Sequence, residues 1–271
     1  MSILTTDPYA GATTAAPGRF LHHLNPLAKI AAVLPPMAVL LFTRDRFTPL
    51  AFIVLGIALI LIGARVRAAI VVGLLVVLPA IVLVMGVSFG FWVDASRVED
   101  QRILFTVGAF DYTAGAFAVG LATSLRLASL VVLALIGGLT TTGPDLARSL
   151  VRQLRVPYRV GYTAIAAYRF IPRFATELAL IRQAQRVRGV ARGRGPIAAT
   201  RRAFAAVVPL LASSIRHADR MALAMESRAF GAHPTRTERY PTPWRIRDTA
   251  FVLLFWQVAA AIFVAGVAVA P

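Results

Sequence analysis

Two short runs concentrate the binding chemistry of this chain: Gln185-Arg186-Val187-Arg188-Gly189 and Glu226-Ser227-Arg228-Ala229-Phe230-Gly231. Each places an arginine at the far end of a long helical pattern and closes on a glycine, a helix-stop signal. A guanidinium is a planar fork of donors that meets carboxylate or phosphate in parallel hydrogen bonds. Two such ends suit an acidic protein surface or lipid headgroups better than they suit making or breaking bonds. Alone, either arginine would do no more than offset a helix dipole. Two of them, behind two long stripes in one segment, point to binding.

Other chemistries lack their residues. The chain has no cysteine, which removes disulfides, thiolate metal sites and thiol nucleophiles. His22 and His23 adjoin, His217 and His233 lie far off, and no carboxylate completes a ligand set. Asp219 and Glu226 make no catalytic constellation, and no glycine-rich phosphate loop ending in Lys-Ser or Lys-Thr occurs. No catalytic, cofactor-binding or metal residue is therefore expected. The Arg-Gly alternation between Arg186 and Arg202 meets no aromatic residue before Phe204, so anionic lipid is a better minor partner for it than nucleic acid.

The two arginine ends must be carried by rigid elements. Ile171, Phe174, Leu178 and Ile181 recur at steps of three and four, with Arg169, Arg173, Arg182 and Arg186 off that stripe. Val208, Leu211, Ile215, Ala218, Ala222 and Met225 repeat the spacing, with Arg216, Arg220 and Arg228 elsewhere on the turn. Each helix is expected to bury its apolar side and present cations on another. Pro172 to Arg188 and Pro209 to Arg228 would span about 24 and 28 Å.

The remainder reads as anchorage in a membrane. Hydrophobic residues make up 58% of 271, and the mean hydropathy is +0.72, beyond the needs of a soluble core. Apolar spans are expected at Ala28 to Phe42, Phe47 to Ala64, Ala68 to Trp92, Thr113 to Leu139 and Thr249 to Val269. The fold class is thus an all-α integral membrane protein of about five spans with long amphipathic coupling helices. It divides into a tail at 1–26, four spans at 27–139, the helical segment at 140–247 and a last span at 248–271. Pro35 and Pro36 are tolerable if neighbouring helices take up the freed carbonyls. Asp7, Pro8, Pro17 and Gly18 interrupt the tail, so no signal peptide is expected there.

Charge sets the orientation. Basic residues number 29 against 12 acidic, a net charge of +17, and Lys29 is the single lysine. Twenty arginines fall within 140–247, against five acids, so this segment and the N-terminus are expected in the cytoplasm of a prokaryotic cell, beneath the plasma membrane. The acidic loop at 94–111 then lies outside, with Trp92 and Tyr112 as interfacial aromatics; Arg44 and Arg46 on that outer side fit the rule less well. Arg126 stands mid-span. It is expected to pair across helices, with a loop carboxylate or a partner, or to serve the bundle structurally. Thr142-Gly143-Pro144-Asp145 has the form of a capping box, starting a helix lined by Leu146, Leu150 and Leu154 and ended by Pro157.

At this point the chain resembles a known family, the transmembrane T component of energy-coupling factor transporters. Leu21-His22-His23-Leu24-Asn25-Pro26-Leu27-Ala28-Lys29 is similar to its N-terminal motif, and Thr141 to Leu146, Val156-Pro157-Tyr158 and Arg169-Phe170-Ile171-Pro172 follow in order. The two arginine ends resemble its Ala-Arg-Gly signatures, with Val187 in place of the first alanine, and Ser227 and Ala229 in place of the second motif's alanine and glycine. The resemblance implies Arg188 and Arg228 as contacts in grooves on two ABC-type ATPase subunits, which bind the ATP and Mg. It further implies a separate S component that captures a vitamin or a metal ion such as cobalt or nickel. This chain would then be non-catalytic, passing ATP-driven motion between its partners. The alternatives are a self-sufficient permease, for which only Arg126 is available as an intramembrane polar group, an anionic-lipid-binding scaffold, and a membrane enzyme, for which no constellation exists.

Overall fold

The structure is a computed structural model describing residues 19–43, 45–93, 100, 102–107, 110–189, 195–233 and 242–269. Each expected span is an apolar helix in it; Ala68–Gly90, Ala114–Thr140 and Ile246–Ala268 are long and apolar enough to cross a membrane, while Pro26–Leu40 and Phe47–Gly63 are shorter. After a single turn, α1 (Phe20–His23), come α2 (Pro26–Leu40), α3 (Phe47–Gly63), α4 (Ala68–Gly90), α5 (Ala114–Thr140) and, at the C-terminal end, α9 (Ile246–Val269). Between α5 and α9 lie α6 (Gly143–Gln153), α7 (Tyr158–Val187) and α8 (Pro196–Glu226). The described residues divide into two units, one holding those up to 146 and from 242 onward, the other those from 147 to 233.

In the first unit α5 is the hub, with α2, α3 and α4 packed against it and α9 against α2 and α3. Phe52, Ile60, Val132, Leu133 and Ile136 are buried between them, while Val54, Ile62, Val84, Leu254 and Val264 face outward, the arrangement of a bundle whose solvent is hydrocarbon. Lipid tails are as apolar as leucine, so close approach rather than hydrophobicity holds such helices together. Gly120 supplies that approach: a Cβ there would strike the Gly86 carbonyl and the Gly90 backbone of α4.

The prolines are accommodated through neighbours. Pro35 cannot donate to the Ala31 carbonyl one turn back, and the Trp256 indole N–H of α9 donates to that carbonyl instead, at 3.2 Å. Ahead of Pro79 the helix widens into a π turn at Gly73–Val77, where the Leu78 N–H reaches the Gly73 carbonyl, a local register change that periodicity does not disclose.

The loop between α4 and α5 contains a hairpin, β1 (Ile103–Val107) and β2 (Phe110–Thr113), paired antiparallel with Val107 opposite Phe110 and Ile103 opposite Thr113. Tyr112 is buried within the protein rather than exposed as an interfacial aromatic would be, with its ring tilted against Phe91 at 4.8 Å between centroids and its hydroxyl donating to the Val87 carbonyl at 3.1 Å. Gly90 makes the room, since any side chain there would meet the Tyr112 ring. Trp92 is almost fully exposed, as an interfacial aromatic should be. Arg44, Asp94 and Glu99 lie outside the described residues.

Candidate coupling surface

In the second unit α7 and α8 run antiparallel, because their contacts pair rising numbers with falling ones. Arg159 donates to the Gly231 carbonyl (2.5 Å), Tyr158 to that of His233 (2.7 Å), and Ser213 to the Glu177 carboxylate (2.6 Å), while the Phe170 and His217 rings meet edge-on at 4.1 Å. Arg188 ends one rod and Arg228 the other, so the two guanidinium-bearing tips point to opposite ends of the pair. At the helical rise, they stand up to about 40 Å apart along the axes.

The tips share one backbone solution. After α7, Arg188 is helical (φ −72°) and Gly189 turns left-handed (φ 68°), donating its N–H to the Arg186 carbonyl at 3.1 Å. After α8, Ala229 turns left-handed (φ 55°) and donates to the Glu226 carbonyl at 2.9 Å, while Phe230 donates to that of Met225 at 3.0 Å. Such reversed residues close a helix by satisfying its last carbonyls. In both cases the arginine directly precedes the reversal and is exposed, as are Arg186, Val187, Glu226 and Ser227. Val187, at 90% exposure, is the most open apolar side chain of the first tip. Gln185, Gly189, Phe230 and Gly231 are half-buried.

The second tip is clamped. Phe230 packs edge-on against Tyr158 (5.8 Å), and a side chain at Gly231 (φ 91°) would crowd the Arg159 guanidinium. Beside Arg228 opens a cleft of about 750 Å³ to which Arg148, Arg169 and Arg173 also contribute, with His217 and His233. Among the described residues no carboxylate lines it, which favours a positive local potential. Burial against Phe170, with Arg173 and Arg220 nearby, lowers the pKa of His217, and Glu177 opposes that shift.

The apolar stripes differ from expectation. Ile171 (61% exposed), Val208 (72%) and Ile215 (62%) face outward, and so do Phe174, Leu211, Ala218 and Ala222; only Leu178, Ile181 and Met225 are half-buried. Periodicity shows that a helix has an apolar side but not what covers it. Here α7 and α8 meet through Phe170, Glu177, Ser213 and His217, leaving the stripes unspent. Leu154 at the end of α6 is likewise exposed.

The N-terminal motif has a structural role that spacing did not reveal. The Asn25 side chain accepts from Leu27 N–H (3.0 Å) to cap α2, and the Asn25 backbone N–H donates to the buried Asp248 carboxylate (2.8 Å), which also accepts from the Arg245 backbone N–H (2.8 Å). The buried Lys29 ammonium donates to the Thr140 carbonyl (2.8 Å) and the Thr141 hydroxyl (3.3 Å). His22 accepts from Arg65 N–H at 3.1 Å. Burial and the cations Lys29, His23 and Arg19 lower its pKa, keeping the ring nitrogen free to accept. A lone lysine among arginines and an acid opening an apolar span were the available signals. At the far end of this motif set, Thr142 and Asp145 form the expected cap, with the Asp145 N–H 3.3 Å from the Thr142 hydroxyl oxygen.

A multi-pass helical membrane bundle joined to a pair of arginine-tipped rods defines an integral membrane protein of the all-α class. The family model CbiQ, cobalt transport protein, matches residues 17–239, and this chain belongs to that family, as its resemblance to transmembrane T components implied. It is 29% identical over 253 residues to the energy-coupling factor transporter transmembrane protein EcfT of Staphylococcus aureus, covering 90% of this chain and 92% of that one. To the protein of the same description from Bacillus subtilis it is 28% identical over 185 residues, 65% of this chain and 70% of that relative. A Thermotoga maritima counterpart is 36% identical over 101 residues, 37% of each chain.

Proposed function

We propose that this chain is the coupling subunit of an energy-coupling factor transporter, inserting Arg188 and Arg228 into acidic grooves on two ATPase subunits. The observation that carries this reading is the matched pair of caps at opposite ends of two antiparallel rods. Among the described residues neither guanidinium has a hydrogen bond or ion pair. Tips so far apart address two partner bodies, and stiff rods pass on what those bodies do. The open stripes on α7 and α8 supply the apolar surface that a substrate-capturing membrane subunit, or the bilayer face, would cover. ATP and Mg belong to the ATPases, this chain is non-catalytic, and the cargo, a vitamin or a transition-metal ion, is selected by the capturing subunit. The arginine-rich segment lies on the cytoplasmic side of the plasma membrane.

The test is co-purification and uptake with Arg188→Glu, Arg228→Glu and the double variant. Each arginine in a desolvated acidic groove is worth about 2 kcal/mol or more, so each single change lowers ATPase retention about 30-fold at that interface. Membrane insertion stays intact. Full assembly and uptake by the double variant would overturn the proposal, and a lone permease or scaffold would purify without ATPases from the start.

A further inference from the structure

Arg126 belongs to neither arginine tip. It lies twelve residues into α5, about 18 Å from the helix start, and its Nε is inaccessible to solvent with no hydrogen-bond partner. It lines an open cavity of about 680 Å³ between the first half of α5 and the α2–α3 turn, together with Arg46, Thr43 and Thr123. Among the described residues no carboxylate contributes to the lining. The neighbouring Asp45 is engaged elsewhere, accepting the Thr48 N–H at 2.6 Å to cap α3. Two cations therefore share one cavity with no anion among the described residues. Its rim is apolar: Leu41, Phe42 and Val119 are exposed, Phe42 to 85%.

The depth of the cavity narrows the choice of occupant. Asn25, Lys29, Thr140 and Asp248 form a polar layer at the other end of the bundle. From it, the 15 residues of α2 rise only about 22 Å, against a hydrocarbon thickness of about 30 Å. The α2–α3 turn thus stops inside the leaflet remote from Thr140, and the bilayer must thin there or admit polar groups. An arginine at such depth draws headgroups toward itself. A group with one negative charge and an attached pair of acyl chains satisfies both the guanidinium pair and the apolar rim.

We propose that this cavity holds the phosphate of an anionic phospholipid of that leaflet, with Arg126 and Arg46 as its paired cations. The site also explains why arginine sits in a turn where the orientation rule disfavours it.

The test uses the full chain, purified and delipidated, with dioleoyl phosphatidylglycerol, dioleoyl phosphatidylcholine or inorganic phosphate added, read by native mass spectrometry and thermal unfolding. Phosphatidylglycerol is expected to remain bound and raise the melting temperature, and phosphatidylcholine and phosphate to do neither. Arg126→Gln and Arg46→Gln should each weaken retention about tenfold, the factor that one charge-assisted hydrogen bond represents, and Arg126→Lys should retain most of it. Arg46 is exposed in a turn, so Arg46→Gln keeps the test open should Arg126→Gln fail to fold. Equal binding of the two lipids, or undiminished retention by both glutamine variants, overturns the proposal. An equal shift with inorganic phosphate assigns a free anion and overturns it too. So does loss of a co-purifying membrane subunit from Arg126→Gln with lipid retention unchanged, which would assign the site to a partner's carboxylate.

Discussion

Ala229 stands where its partner cap uses Gly189, and the exchange of the two residues is a quantitative test of the matched-cap geometry. An L-residue held left-handed suffers contact between its Cβ and the following carbonyl, costing about 1–2 kcal/mol, and at φ 55° Ala229 carries that strain. Ala229→Gly removes it but gives back about 0.5–1 kcal/mol through the greater freedom of glycine in the open chain. The net expectation is a local gain of about 0.5–1 kcal/mol, and Gly189→Ala should lose a similar amount. The readout is hydrogen exchange of the amides that form the caps, Ala229 and Phe230 after α8 and Gly189 after α7. If exchange follows local opening, protection at Phe230 rises about two- to fivefold in Ala229→Gly, while in Gly189→Ala the residue 189 amide exchanges faster by a similar factor. ATPase retention in Ala229→Gly should be unchanged, since Arg228 keeps its place. Unchanged or faster exchange at Phe230 in Ala229→Gly would show that the reversal is not formed, and the equivalence of the two tips would fail with it.

Three further outcomes follow from the packing. Asp248→Ala leaves the Asn25 and Arg245 N–H groups without their acceptor, costing about 1–3 kcal/mol for each buried donor, and should lower the melting temperature in detergent markedly. Gly120→Ala drives a methyl into the α4 backbone and should destabilise by about 1–3 kcal/mol, measurable in the same assay. His217, whose pKa is lowered in the fold, is neutral there at a pH where the unfolded chain is already protonated. Stability of the α7–α8 pair should therefore be full above the ordinary histidine range and fall as the pH drops through it, and His217→Gln should flatten that dependence in hydrogen exchange of α8.

Local patterns were legible wherever their cause was local. The five apolar helices follow from runs of apolar residues, the α6 cap from Thr142 and Asp145 three positions apart, and the two helix stops from the glycines and prolines beyond Arg188 and Arg228. Family membership was legible too, because its motifs lie in order along the chain. Illegible were the contacts that join distant positions. Asn25 and Asp248 are 223 residues apart, and nothing in either neighbourhood names the other. Tyr112 looked interfacial because exposure of an aromatic depends on whether a glycine such as Gly90 stands opposite it.

The sequence alone determined that this chain spans a membrane repeatedly and carries cations at the ends of two long helices, since hydropathy, periodicity and helix stops are properties of consecutive residues. Only the tertiary structure decided that those helices run antiparallel, that both arginines precede a left-handed residue, that the apolar stripes stay open, and that Arg126 and Arg46 share one cavity. Each of these depends on which surfaces meet, and a helix's apolar side is equally consistent with a neighbour in the chain, a partner subunit or lipid until packing selects among them.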